Sequence, residues 1–265
     1  MKKNIYFFIV GVLAALFIAG CSDLQNEKAP TQTVAKIHGE NFADATSQNS
    51  HKVYLREHQW NLQTCKQCHG SSYNGGTANV SCLSCHNKPS GPENCVTCHG
   101  GVNAAPPEDL SGNIVRSSRG VGAHQAHLSN GVSCNSCHVV PAAFTSEGHL
   151  GSDGKAEVRF DTVTFFGTNQ IYNSTNGTCS NNYCHGNFKN GNGNVTVTWT
   201  DETGNAAQCG TCHGDVTKTT LEEKAFPKTG HPNIGTTKCN QCHGRTVDAN
   251  MNIISTTYHI NGKVD

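Results

Sequence analysis

Ordinary core material is scarce in this chain. Outside residues 5–19, Leu, Ile, Val and Phe are thinly spread, and aromatic residues make up 7% and charged residues 14% of 265. So little apolar surface barely offsets the conformational entropy lost on folding, which excludes a set of ordinary hydrophobic cores. Neither sign of charge dominates, with 19 basic and 19 acidic side chains. Nothing therefore points to a nucleic-acid partner. Methionine occurs only at positions 1 and 251. The apolar run Ile5 to Ala19 spans 15 residues, short of the roughly 20 a transmembrane helix needs.

What the chain has is cysteine and histidine, 15 of each. Fourteen of the cysteines fall in seven pairs, and each pair is followed at once by histidine. Six pairs read C-x-x-C-H: Cys65-Cys68-His69, Cys82-Cys85-His86, Cys95-Cys98-His99, Cys134-Cys137-His138, Cys209-Cys212-His213 and Cys239-Cys242-His243. The seventh is wider, with Cys179, Cys184 and His185. C-x-x-C-H is the attachment signature of c-type haem. Two thiols add across the porphyrin vinyl groups, and the next residue, already under the ring, supplies the proximal imidazole. Zinc ribbons use cysteine pairs without needing this histidine. Disulfide scaffolds spread their cysteines to close loops. Random placement of histidine would give seven hits in seven with a probability on the order of 10^-9, so the recurrence carries the reading.

Seven covalent haems change what the composition means. The 245 residues from 21 to 265, shared among seven haems, leave 35 for each. The porphyrins then form the core, and the expected fold is mostly irregular coil with short helices, wrapped on its cofactors. Gly and Asn let the backbone turn tightly around the rings. Short helices are expected over 51–61 and 122–128, with single turns at the motifs. Glu157 to Asp161 and Asn194 to Thr200 alternate in polarity, which predicts a small two-stranded β element flanking the wide motif.

The N-terminus reads as a secretory signal: Lys2 and Lys3, the apolar run, then Ala19-Gly20-Cys21. Residues 1–20 are the expected signal peptide, 21–37 a polar tether, 38–100 a three-haem region, 101–123 a Gly/Pro/Ser-containing connector and 124–265 a four-haem region. Without residues 1–20 the chain carries 17 basic and 19 acidic side chains, and haem propionates would make it more acidic still. Within 124–265 one unit occurs twice. His127 precedes Cys134 as His231 precedes Cys239, and the tails Gly148-His149-Leu150-Gly151 and Tyr258-His259-Ile260-Asn261-Gly262 follow the two motifs.

Beyond the seven proximal histidines stand eight others: His38, His51, His58, His124, His127, His149, His231 and His259. With one useful methionine at most, the supply matches bis-histidine ligation of seven irons with one to spare. His124, His127, His149, His231 and His259 are expected distal ligands, with no haem assigned to any of them. In the first part of the chain spacing favours His58, which lies seven residues before Cys65, as His127 does before Cys134.

From residue 38 onward the chain resembles multihaem c-type cytochromes of metal-reducing bacteria that contain a CxxxxCH…CxxCH module, here Cys179 to His213. The likeness extends to Ser72-Tyr73-Asn74-Gly75-Gly76, Ala105-Pro106-Pro107, Gly122-Ala123-His124-Gln125-Ala126-His127-Leu128 and Cys137-His138-Val139-Val140-Pro141. It implies that His38 and His51 are ligands and His58 the spare, against the spacing rule. Cys21 resembles a lipobox cysteine, which implies lipidation there and an anchor in the cell envelope, at the outer membrane or cell surface. The function implied is electron transfer, not enzymatic turnover, toward partner cytochromes, other redox proteins or extracellular metal oxides. A multihaem reductase with one open iron and a self-associating subunit of a conducting filament are the alternatives.

Overall fold

The computed structural model describes residues 37–150, 155–160, 169–193, 195–233, 235 and 238–260. Cys21, the signal and nearly all of the tether lie outside them. The chain divides into two compact units, residues 1–54 and 55–265.

In the first unit, Phe42 is the organising side chain. Its ring stacks on His38 at 4.2 Å and lies 5.9 Å from His51 and 5.8 Å from Tyr54. The Phe42 carbonyl accepts both the backbone N–H and the Nδ1–H of His51.

The regular elements are short, as the composition requires. They are α1 (His51–Glu57), α2 (Gln63–His69), α3 (Cys95–Cys98), α4 (His124–Ser129), α5 (Leu221–Ala225), α6 (Cys239–His243) and α7 (Thr256–His259). Helix α1 ends before the expected residue 61 because Gln59 and Trp60 take left-handed backbone angles. Three more motif segments are 3₁₀ turns: Cys82–Ser84, Cys134–Ser136 and Tyr183–His185. The single-turn expectation fails at Cys209, where the motif is a non-helical turn. There the preceding residues, Asn205–Ala207, form the 3₁₀ turn instead.

The expected two-stranded element is a three-stranded antiparallel sheet: β1 (Ile171–Asn173), β2 (Thr178–Ser180) and β3 (Val197–Thr198), in that order. Cys179 of the central strand pairs with Tyr172 on one side and Val197 on the other. The segment 194–200 contributes β3 as expected, but Glu157 to Asp161 is not a strand among its described residues. Its backbone serves a haem motif instead: Arg159 N–H donates to Cys137 O, and Glu157 O accepts from the His138 ring. The missing strand comes from a hairpin whose turn, Ser174-Thr175-Asn176-Gly177, is tied by Gly177 N–H to Asn173 O. Asn176-Gly177 is a turn dipeptide.

Among the described residues, the buried apolar side chains are Leu62, Tyr73, Ala105, Val121 and Ala123. None of the fourteen motif cysteines is in a disulfide. No described helix is long and apolar enough to cross a membrane.

Candidate functional site

At two motifs the turn is capped by the residue just before the first cysteine. Ser81 Oγ accepts from Leu83 N–H, and Asn94 Oδ1 accepts from Val96 N–H, so each caps the turn that opens at the next residue. The wide motif uses other means. Cys179 is held in β2, Asn181 takes a positive φ, and Asn182 Oδ1 accepts from Cys184 N–H at 2.9 Å. Asn187 closes the loop from outside by donating to Asn181 O. The longer spacer is thus an ordered loop.

Five of the seven motif histidines face a second histidine across a gap. The ring centroids are 6.1 Å apart for His99 and His149, 6.2 Å for His124 and His138, and 6.2 Å for His127 and His185. They are 6.5 Å apart for His213 and His259 and 6.1 Å for His231 and His243. Two metal–imidazole bonds of roughly 2.0–2.1 Å, drawn in line through to the ring centres, put the centroids about 6.4 Å apart. The gaps fit an iron with one nitrogen on either side. Every pair joins a motif histidine to one from outside the motifs.

In seven of these ten rings the other ring nitrogen is also accounted for. A coordinated imidazole characteristically donates its second N–H to a nearby acceptor, which fixes the tautomer and frees Nε2 for the metal. Here Nδ1 bonds a backbone carbonyl at His51, His69, His124, His127, His138, His149, His185, His213 and His231, over 2.8–3.3 Å. Burial holds the His99, His124, His127, His185 and His259 imidazoles below the ordinary histidine pKa. The shift favours the neutral imidazole, the form that can ligate a metal. Burial also pushes the Cys137 and Cys212 thiols up to about 11.

Consecutive motifs are knitted to one another. Tyr73 O accepts from Cys82 N–H, and the buried Tyr73 hydroxyl donates to Glu93, which is also paired with Lys66 of α2 at 2.8 Å. Burial and then the Glu93 hydrogen bond hold the Tyr73 phenol protonated. Between the wide motif and the next, Cys212 Sγ lies 3.2 Å from Cys184 O, and Asn192 donates to Gly210 O and Thr211 O. Helix α5, closed by the Thr220–Glu223 capping box, sets Ala225 O against His213 Nδ1 and the Phe226 ring 4.8 Å from His231.

Sequence reasoning missed the aromatic rings behind the distal histidines. The Phe144 ring lies edge-on to His149 at 5.8 Å while the Phe144 backbone carbonyl accepts the His149 Nδ1–H, and Phe226 packs on His231. The signal was present. Phe144-Thr-Ser-Glu-Gly148-His149 and Phe226-Pro-Lys-Thr-Gly230-His231 share the pattern F-x-x-x-G-H. Gly148 and Gly230 have φ of 78° and 79°, so each turns the chain just before its histidine.

Residues 178–213 match the family model described as the Geobacter CxxxxCH...CXXCH motif. No curated protein and no solved structure matches the chain. The module expected from the resemblance is therefore present, and with the repeated C-x-x-C-H signature it marks covalently bound c-type haem and an electron carrier.

Proposed function

We propose that the protein is a seven-haem electron-transfer cytochrome with histidine on both faces of every iron. The observation that carries this reading is the set of five imidazole pairs at iron-spanning distance. Haem c, when bound, would supply a one-electron couple, and histidine ligands would keep its potential low. The chain's own part is to hold ligands, exclude water and keep the sites close. His69, His86, His99, His138, His185, His213 and His243 bind from the motifs. His124, His127, His149, His231 and His259 would each supply the second imidazole of a pair. His38 and His51 complete the set, and His58 is the spare. The Nδ1 bond from His51 to Phe42 O favours His51. The spacing argument for His58 loses its His127 precedent, because His127 faces His185, while His231, eight residues before Cys239, does face His243 of its own motif.

Electrons pass along such a chain only if neighbouring cofactors are close, and the ties between consecutive motifs serve that purpose. Their donors and acceptors are partner cytochromes, other redox proteins or extracellular metal oxides. Intact mass spectrometry of the mature holoprotein is expected to give seven haem additions. Six would single out the Cys179–Cys184 motif, and four or fewer would overturn the reading.

The proposed place of action is the cell envelope, outer membrane or surface, with lipid on Cys21. Cys21→Ser is expected to move the protein out of the membrane fraction with its haem absorption spectrum unchanged. Equal retention on membranes would put the anchor elsewhere.

A further inference from the structure

We propose that Trp199 is a positioning residue for two iron ligands at once, and that it sets the ring planes of His124 and His127. The inference rests on the bis-histidine reading above. Helix α4 carries both histidines three residues apart, which puts them on one face. They serve different motifs, since His124 faces His138 and His127 faces His185. The indole touches both. It lies parallel to His127, at 5.6 Å and 7°, and edge-on to His124, at 4.8 Å and 90°.

Trp199 is itself held at two points. Its backbone N–H donates to Gly177 O and its Nε1–H to Arg119 O, each at 2.8 Å. The Arg119 guanidinium in turn donates to Ser174 O and Thr175 O in the β1–β2 turn. Trp199 directly follows β3, whose register runs through β2 and Cys179. The sheet that carries the first thiol of the wide motif therefore also aims the indole. Space is reserved for it at the head of α4: a Cβ on Gly122 would lie 1.9 Å from Trp199 Nε1, and Gly122 has a φ of 45°.

The planes matter because of the iron d orbitals. Two imidazoles in nearly parallel planes split the pair of orbitals that share the unpaired electron, which gives a rhombic signal in electron paramagnetic resonance. Perpendicular planes leave that pair almost degenerate, which gives a strongly anisotropic signal with a large maximal g value. The planes of His124 and His138 differ by 22°, and those of His127 and His185 by 89°. Each ring keeps its Nδ1 bond to the helix backbone, to Val121 O and Ala123 O. What the indole adds is a flat wall against rotation about the Cβ–Cγ bond.

The test uses the oxidised full-length holoprotein. His127→Gly identifies the large-g component that belongs to its iron, since that component alone should vanish there. Trp199→Phe keeps a flat ring and is expected to keep this component. Trp199→Leu and Gly122→Ala, the second of which drives the indole off the helix, are expected to convert most of it to a rhombic signal at unchanged haem content. The rhombic component from the His124–His138 site should broaden with it. If the large-g component is unaltered in whichever of these two variants accumulates, the proposal is overturned. Failure of the underlying ligand reading looks different: His127→Gly would then leave every low-spin component of the parent protein in place.

Discussion

Residues 38–265 made without haem attachment are expected to give a chain with no cooperative unfolding transition. Burying a large apolar side chain contributes about 1.5–3 kcal/mol, whereas ordering one residue's backbone costs about 1–2 kcal/mol. Among the described residues the buried apolar side chains are Leu62, Tyr73, Ala105, Val121 and Ala123. Two of the five are alanines. Against these stand exposed Val102, Ile114, Val139, Ile253 and Ile254. Among the described residues the protein's own apolar burial falls far short of the entropy, so the folded state is expected to depend on covalent porphyrins. Thermal melts followed by circular dichroism check this. The holoprotein should melt cooperatively, and the haem-free chain should show only a gradual drift. A sharp transition in the haem-free chain would mean that the polypeptide carries a core of its own.

Replacing His127 with Gly is expected to turn one of seven irons from low-spin to high-spin and to create one carbon monoxide site per molecule in the reduced protein. The parent protein should have none. The argument is geometric: His127 faces His185 across 6.2 Å, its Nδ1 is tied to Ala123 O, and its helix offers no other side chain for that position. Removing the imidazole leaves His185 as the sole protein ligand. His51→Ala is expected to open one iron in the same way, and His58→Ala none. A carbon monoxide titration of the reduced proteins counts the open sites. Binding by the parent protein itself would revive the reductase alternative and make the open haem its active site.

Much of the site was legible because haem attachment is local chemistry. Two thiols and an imidazole must lie within one turn of chain, so the motif is contiguous and each proximal histidine can be read off directly. The supply of distal histidines was also countable. Their pairing was not. The tails His149 and His259 each reach back to the motif before their own, facing His99 and His213. His231 faces its own downstream motif at His243, yet His127, at nearly the same spacing, faces the next one. Sequence separation cannot discriminate these cases, since a Gly-rich chain with few regular elements can return from many directions.

The small sheet makes the same point. Alternation marked 194–200 and 157–161 equally, and only the first became a strand. The second has its backbone taken up by Cys137 O and the His138 ring. Alternation reports what a segment could do in a sheet, not what competes for its hydrogen bonds. Trp199 had no sequence signal at all, because its partners lie on α4 and near Arg119, 72 to 80 residues away.

By itself the sequence determined the class of cofactor, the seven Cys/His motifs that imply it and the shortage of any other core, because each follows from residues adjacent in the chain or from composition. The tertiary structure alone decided which imidazole faces which, in what plane, and what stands behind it. Those are distances between segments far apart in sequence, set by where backbone carbonyls, glycine turns and a few aromatic rings bring them together.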